Sequence, residues 1–426
     1  MLDRIFKIKK SAGAADFAGK LAAQYGEGDS GMVLSENITV PAGTPVCGQL
    51  VIGKAGTGKT SCFVEPNILK ADASLLITDN GGDLFRRHAH FLEENGYRVR
   101  HLDLARLKGD RYNPLAFVRG EKDIEDLAEA MIMNTAGTVA DPVGICLEKA
   151  LFRALAAYLC FCTKEESRTF SRIEHLLATA DIRLAGGRTA LDSIFDNLGG
   201  RTETRYAEKQ YRIYRTGAGD GARMTAASCA ARLHAFGSGA LAEMTDTDDM
   251  ELSFMGKKKT AVFVSLPVAA DPAARFLASA AATQAFAAGE EGTDIPVKIF
   301  LDGTEGRVRT PLVIRSAGFS PGAAAGITVQ SAGQLKNAYP EEWKDLIRGF
   351  GTLIVLGGGM DEGEAAWLSE AIMERVGDGR KAAFATPSRL RTLPFGSCCI
   401  AVKGTGACVD KNHRPPEERR VQCRTQ

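Results

Sequence analysis

The chain of 426 residues has an ordinary globular composition, with 45% hydrophobic and 25% charged residues and no low-complexity tract. This length is enough for two or three domains around a large core. Fifty-three basic residues against 52 acidic ones give a net charge of +1, which excludes a strongly basic nucleic-acid coat protein but allows local DNA-binding loops.

The cysteines and the N-terminus indicate the cellular compartment. None of the ten cysteines forms a CxxC pair, so neither a zinc ribbon nor a thioredoxin-like site is expected. The N-terminus MLDRIFKIKK lacks the apolar region of a signal peptide, and no segment approaches 18 uninterrupted apolar residues. We therefore expect reduced, mostly buried thiols in a cytoplasmic protein.

The N-terminal part of the chain alternates strand and helix patterns. Residues 1–47 are expected to form a lead-in with Gly/Ser-rich turns. The following strand patterns are GQLVIG, SLLITD and YRVRHLDL, and the helical patterns between them are SCFVEPNILKA and DLFRRHAHFLEENG. Strands that alternate with helices predict a parallel sheet of the βαβ type.

A purely helical region then interrupts the strand patterns, from about residue 121 to residue 251. Its helical segments are DIEDLAEAMIMNTA, EKALFRALAAYLCF, SRIEHLLATA and ARMTAASCAARLHAF. Strand patterns return in KTAVFVSL, PVKIFLD, GITVQ, TLIVLGG and SCCIAVKG. We predict one doubly wound α/β domain (residues 48–120 and 252–413) that is interrupted by an all-α domain (residues 121–251), with a C-terminal tail (residues 414–426).

The segment GKAGTGKT fits the phosphate-binding pattern G-x-x-x-x-G-K-[ST] between a predicted strand and a predicted helix. Gly56 and Gly58 allow consecutive backbone N–H groups to face phosphates. Lys59 would reach the β- and γ-phosphates, and the Thr60 hydroxyl would ligate Mg²⁺. The predicted nucleotide-binding residues are Gly53, Lys54, Ala55, Gly56, Thr57, Gly58, Lys59, Thr60 and Ser61.

The segment IFLDGTEGRV holds a second candidate for metal binding. A hydrophobic strand that ends in an aspartate, here Asp302, is how many nucleotide hydrolases hold magnesium. A glutamate that activates the attacking water usually follows directly, but this chain has Gly303 there, and the nearest acid is Glu305. Glu305 could replace it if the chain curls through Gly303; otherwise Glu305 is a solvated loop acid.

Several segments, taken in order, resemble the type IV coupling proteins, which are TraG-like DNA pumps of conjugative elements within the FtsK/HerA-like group. The segments are FVEPNIL, LITDNGGDLF, DRYNPLAF, MELSFMGKKKTAVFVSLP, VQSAGQLKNAY, TLIVLGGG and SCCIAVKGTGACVDKNHR. The resemblance covers most of residues 30–413, and the order of the segments is more specific than any single motif.

This resemblance implies a RecA-like motor domain with an all-α domain, ATP and Mg²⁺ as ligands, and a homo-hexameric ring. It implies single-stranded DNA, a relaxase and type IV secretion channel components as partners. It also makes Asp302 the Walker B aspartate and Gln330 the sensor of the γ-phosphate. Such proteins usually begin with transmembrane helices, which this sequence lacks, so we expect a cytoplasmic protein at the inner face of the plasma membrane.

The sequence departs from the family pattern in three places that serve ATP hydrolysis. Gly81 replaces a lysine, Gly303 replaces the catalytic glutamate, and Arg315 is the nearest arginine where an arginine finger is expected. Two hypotheses stay open: a DNA-pumping ATPase, and an ATP-binding adaptor that hydrolyses ATP poorly. A third hypothesis is a P-loop ATPase with an unrelated substrate. The candidate DNA contacts are Lys257–Lys259, Arg307 and Arg309.

Overall fold

The computed structural model describes residues 12–26, 31–41, 43–44, 46, 48–136, 141–184, 188–267, 269, 271–291, 294–304, 308–310, 320–377 and 385–413. Its strands are β1 (Gly31–Val33), β2 (Thr39–Pro41), β3 (Gln49–Ile52), β4 (Ser74–Asn80), β5 (Arg98–Asp103), β6 (Lys108–Gly109), β7 (Thr260–Leu266), β8 (Val297–Leu301), β9 (Ala323–Val329), β10 (Thr352–Leu356), β11 (Ser397–Val402) and β12 (Gly406–Lys411). Its α-helices are α1 (Ala12–Tyr25), α2 (Glu65–Lys70), α3 (Asp83–Glu94), α4 (Glu121–Thr135), α5 (Pro142–Cys162), α6 (Phe170–Ala178), α7 (Ala190–Asp196), α8 (Arg205–Ala218), α9 (Ala222–Leu233), α10 (Ala240–Thr245), α11 (Pro272–Glu290), α12 (Ala332–Ala338), α13 (Trp343–Gly349), α14 (Glu362–Val376) and α15 (Pro387–Arg391).

A ten-stranded sheet forms the centre of the molecule, in the order β12-β11-β10-β3-β9-β8-β4-β7-β5-β6. The strands from β10 to β5 run parallel, whereas β11, β12 and β6 are antiparallel to their neighbours. The central strands β3, β8 and β10 are buried along their whole length, as expected for a parallel sheet that is covered on both faces. The predicted α/β fold with a largely parallel sheet is confirmed.

The helices α4–α10 lie in sequence between β6 and β7, where an all-α insertion was predicted. They are not isolated from the sheet, because α4 packs against α11, which lies on one face of the sheet. Leu127 and Met131 of α4 share one hydrophobic core with Phe276 and Leu277 of α11. The helices therefore extend the core of the sheet domain.

The N-terminal segment is anchored to the rest of the molecule by polar contacts. The hydroxyl of Ser35 donates to the Asp410 carboxylate at 2.6 Å, and the Asn37 side-chain amide donates to the same carboxylate at 2.9 Å. The buried ammonium of Lys298 donates to the carbonyl oxygen of Gly31 at 2.7 Å. The lead-in predicted over residues 1–47 thus contains a helix and a two-stranded sheet, which its sequence pattern did not reveal.

Some other elements also differ from the sequence pattern. The helix after GKAGTGKT begins with a π-helical turn (Thr60–Val64) before it continues as α2. Helices α7, α8 and α10 fill stretches of the helical region where no helix was predicted. Within the residues that the structure describes, none of the helices has the length and apolarity needed to cross a bilayer.

Candidate nucleotide-binding site

The loop from Gly53 to Lys59 connects the buried strand β3 to the π-helical turn. Gly56 and Gly58 have φ angles of +79° and +90°, which side chains with a Cβ rarely adopt. A Cβ added to Gly58 would lie 2.9 Å from the Cys62 sulfur, so this position also requires a residue without a side chain. The predicted glycines thus give the loop the tight turn of a phosphate cradle.

The Lys59 side chain folds back over this loop. Its ammonium donates hydrogen bonds to the carbonyl oxygens of Gly53 at 2.6 Å and of Lys54 at 3.0 Å. The Thr57 hydroxyl also donates to the Lys54 carbonyl, at 2.8 Å. The positive charge of Lys59 is therefore held at the cradle, where phosphate oxygens of a nucleotide would compete for the same donors.

The sheet brings Thr60 and Asp302 together although 242 positions separate them in the chain. The Thr60 hydroxyl donates to one oxygen of the Asp302 carboxylate at 2.5 Å, and the Thr328 hydroxyl donates to the other, also at 2.5 Å. Asp302 follows β8, Thr328 lies on β9, and β9 is the strand between β8 and β3. Sequence reasoning identified Thr60 and Asp302 but missed Thr328.

The Asp302 carboxyl group is buried, and only 5% of the residue is exposed. Burial raises the pKa of this carboxyl above its usual value, against the hydrogen bonds from Thr328 and Thr60 and the charge of Lys59. A divalent cation would stabilise the charged carboxylate, and oxygen ligands of this kind suit Mg²⁺. Thr60 and Asp302 therefore fit a shared magnesium ion, with phosphate and water oxygens as its other ligands.

Gly303 follows Asp302 in a left-handed conformation, with a φ angle of +64°. A Cβ added at this position would lie 3.0 Å from the Cβ of Asn80. A glutamate at position 303 would therefore be strained in this backbone. The alternative acid, Glu305, lies outside the described residues.

Gln330 directly follows β9, between the strand of the P-loop and the strand of Asp302. Its backbone N–H donates to the side-chain oxygen of Gln334 at 2.7 Å. The position of Gln330 at the carboxyl end of β9 is the edge of the sheet where the P-loop and Asp302 also lie.

A cavity of about 480 Å³ opens between the P-loop and the ends of β8 and β4. Its lining residues include Lys59, Thr60, Asp302 and Gly303, together with a second group that consists of Glu65, Asp79 and Arg87. The sequence analysis did not single out this second group of charged residues. They come from β4, α2 and α3, so only the packing of these elements places them at the cavity.

The Asp79 carboxylate fixes the start of α3 beside the cavity. Its two oxygens accept the backbone N–H groups of Asp83 at 3.1 Å and of Phe85 at 2.9 Å. Burial raises the pKa of this carboxyl, while these hydrogen bonds oppose the rise. The pattern SLLITD, a strand that ends in an acid, was the sequence signal that could have identified Asp79.

A larger cavity of about 520 Å³ lies among the helices of residues 188–215. Its lining holds three arginines and three acidic residues, and four of these six form ion pairs: Arg215 contacts Asp192 at 2.7 Å, and Arg188 contacts Asp196. This internal neutralisation makes it a poorer anion site than the P-loop cavity, despite its size.

The candidate DNA contacts occupy different places. Lys259 lies at the start of β7, near the amino ends of the parallel strands, where its ammonium donates to the Ala71 carbonyl at 3.2 Å and lies 5.5 Å from the Tyr97 ring centre. Arg309 donates to the Met133 carbonyl at 3.3 Å. The described contacts thus hold both side chains to the fold, while Arg307 and Arg315 lie outside the described residues.

Comparisons with known proteins give both a family and a fold. Residues 21–294 match the protein family described as type IV secretory system conjugative DNA transfer. A comparison with curated protein sequences gives no match.

Among solved structures, the chain is similar to the plasmid coupling protein TrwB in complex with the non-hydrolysable ATP analogue ADPNP, with 17% identity and a TM-score of 0.66 over 93% of this chain and 92% of that chain. It is also similar to TrwB in complex with ADP and Mg²⁺, with 16% identity and a TM-score of 0.60 over 93% of this chain and 92% of that one. The chain is similar as well to VirB4 of Thermoanaerobacter pseudethanolicus, with 14% identity and a TM-score of 0.52 over 92% of this chain and 99% of that chain. These likenesses confirm the predicted fold class.

Proposed function

The chain belongs to the conjugative DNA transfer family of type IV secretory systems, and we propose that it is an ATP-binding coupling protein. In this role it recruits relaxase-bound single-stranded DNA and pumps it to a type IV secretion channel. It works as a homo-hexameric ring at the inner face of the plasma membrane. The observation that carries the proposal is the cavity in which Lys59, Thr60 and Asp302 meet.

The residues around this cavity support Mg²⁺–ATP as the ligand. The loop from Gly53 to Ser61 presents backbone N–H groups to the phosphates, and Lys59 exchanges its carbonyl partners for phosphate oxygens. Thr60 and Asp302 hold Mg²⁺, which neutralises charge on the β- and γ-phosphates when it is bound. TrwB, which shares the fold, has been solved with ADPNP and with ADP and Mg²⁺.

Two further residues have proposed roles in hydrolysis. Gln330, at the carboxyl end of β9, senses the γ-phosphate from the strand between β3 and β8. Glu305 is the nearest acid after Asp302 in the chain and is one candidate for the general base. Both roles follow from sequence position and from the order of the strands.

A specific observation favours a second candidate function, a catalytically poor ATP-binding adaptor of the same transfer machinery. Gly303 has no side chain where the family pattern has a catalytic glutamate, and its backbone conformation disfavours one. The absence of a positioned general base lowers the rate of such a reaction by roughly a hundredfold or more. An adaptor would bind ATP through the intact P-loop and recruit partners without DNA pumping.

ATP turnover in the presence of single-stranded DNA separates the two functions. The motor predicts DNA-stimulated phosphate release that Lys59→Ala abolishes, because this variant removes the ammonium that contacts the β- and γ-phosphates. Lys20→Ala, an exposed lysine on α1 with 61% of its side chain accessible, is the matched control and leaves turnover unchanged. Lys59-dependent ATP binding without turnover would refute the motor and support the adaptor.

A further inference from the structure

An ion pair lies on the wall of the nucleotide cavity. Arg87 of α3 contacts the carboxylate of Glu65, the first residue of α2, and it also contacts Asp83 at 2.9 Å. Only 8% of the Glu65 side chain is exposed, compared with 30% of the Arg87 side chain. Both residues line the cavity that contains Lys59 and Asp302.

Fold stability alone does not account for a charged pair at this place. Burial of two charges carries a desolvation penalty, and replacement of such pairs by apolar residues is often neutral or stabilising. Val64 and Leu84, the chain neighbours of Glu65 and Asp83, are buried in one hydrophobic cluster, so this region also accommodates apolar side chains. The pair therefore points to a role in the cavity.

The backbone of α2 is also unusual at this point. The N–H of Glu65 donates to the carbonyl of Thr60, which is the i→i+5 pattern of a π-helical turn. Such turns occur frequently at functional sites. This turn connects the magnesium-binding candidate Thr60 directly to Glu65.

We propose that Glu65 and Arg87 supply two catalytic charges for ATP hydrolysis, since Gly303 has no side chain where the family pattern has a glutamate. This inference rests on the proposed function as an ATPase. When ATP is bound, the Arg87 guanidinium turns from Glu65 to the γ-phosphate while Asp83 still contacts it. The Glu65 carboxylate, released from its cation, becomes the general base for hydrolysis.

The reaction balances with water as the only co-reactant. The oxygen of a water molecule forms a bond to the γ-phosphorus, and the bond between that phosphorus and the β–γ bridging oxygen breaks. The proton of the water passes to the Glu65 carboxylate and then to the released phosphate or to solvent.

Paired binding and turnover measurements on the full-length chain test the assignment. Glu65→Gln should lower kcat by roughly a hundredfold or more and leave ADPNP affinity within about threefold of the wild type, a change below about 0.7 kcal/mol. Arg87→Gln should lower ADPNP affinity by about tenfold without an effect on ADP affinity, because ADP lacks the γ-phosphate. It should also lower kcat by about a thousandfold, as for removal of an arginine finger.

Two controls separate catalysis from structure. Glu148 and Arg232 form a similar pair among the helices, with 7% and 15% of their side chains exposed, and they do not line the P-loop cavity. Glu148→Gln should affect stability but neither turnover nor nucleotide affinity. The exchange Glu65→Arg with Arg87→Glu keeps an ion pair and should not restore turnover.

Each contrary outcome identifies what is wrong. Wild-type turnover in Glu65→Gln, or recovery in the exchanged variant, would overturn the assignment and leave a purely structural pair. Loss of turnover in Glu305→Gln together with its retention in Glu65→Gln would assign the base to Glu305 instead. A wild-type protein that binds ATP but does not hydrolyse it would refute both the motor function and the assignment of Glu65 as general base. An equal loss of ADPNP and ADP affinity in Arg87→Gln would independently refute the contact between Arg87 and the γ-phosphate.

Discussion

Substitution of Gly303 by alanine tests whether this position excludes a side chain. The left-handed φ angle of +64° costs a residue with a Cβ about 1–2 kcal/mol. The added Cβ also lies 3.0 Å from the Asn80 Cβ, so Asn80 must shift. We expect Gly303→Ala to lower the free energy of unfolding by about 2–3 kcal/mol, the left-handed cost plus a mild overpacking term.

Gly96→Ala is the matched control. Gly96 has a similar φ angle of +79°, but a Cβ there would have no other heavy atom within 4 Å. Gly96→Ala should therefore lower the free energy of unfolding only by the cost of the left-handed conformation, about 1–2 kcal/mol. The double variant Asn80→Gly/Gly303→Ala should recover the difference between the two single alanine variants.

Urea unfolding followed by tryptophan fluorescence suits this comparison. The only two tryptophans, Trp343 and Trp367, lie on α13 and α14, and their ring centres are 4.9 Å apart. Their signal therefore reports on the sheet domain that holds the site. If Gly303→Ala were as stable as the wild type, or no less stable than Gly96→Ala, the backbone would tolerate a side chain at this position. The argument that Gly303 excludes a glutamate would then be wrong.

Two further predictions concern the magnesium site and the pH dependence of stability. Thr328→Val removes a hydrogen bond to Asp302 that is worth about 1.5 kcal/mol, so half-maximal ATP binding should need roughly tenfold more Mg²⁺. The control is Thr352, a buried threonine whose hydroxyl donates to the Val46 carbonyl. Thr352→Val should leave the Mg²⁺ dependence unchanged. Burial lowers the pKa of His88 to about 4 in the folded state. Between about pH 6.5 and pH 4 the unfolded state therefore binds more protons than the folded state. The free energy of unfolding of the wild type should fall by up to about 3 kcal/mol as the pH is lowered through this range. His88→Leu should therefore reduce the dependence of the unfolding free energy on pH between pH 7 and pH 5. An unchanged dependence would contradict its assignment to His88.

The sequence predicted the parts of the site that depend on local pattern. The P-loop could be read from eight consecutive residues, and Asp302 from the apolar strand before it. The central strands were also predictable, because strands of a parallel sheet that are buried on both faces appear as continuous apolar runs.

Contacts between distant elements could not be predicted in the same way. The pairing of Glu65 with Arg87 spans 22 positions and depends on how α2 packs against α3. Thr328 reaches Asp302 only because β9 lies next to β8 in the sheet. Neither the order of the strands nor the packing of the helices follows from hydrophobic periodicity alone.

The resemblance to type IV coupling proteins is confirmed by the family match over residues 21–294. That match includes the P-loop and the helical region but ends before Asp302 and Gly303. Two of the three departures from the family pattern, Gly303 and Arg315, therefore lie outside the matched residues, whereas Gly81 lies within them. The chemistry around Gly303 has to be argued from the geometry of this chain.

The most direct test of the central claim is an experimental structure of the chain with ADPNP and Mn²⁺, with Mn²⁺ in place of Mg²⁺ so that its anomalous signal locates the metal. The account predicts the metal about 2.0–2.2 Å from the Thr60 hydroxyl oxygen, beside the Asp302 carboxylate. It also predicts the triphosphate in the loop from Gly53 to Ser61. A metal or triphosphate bound away from Thr60 and Asp302 would contradict it.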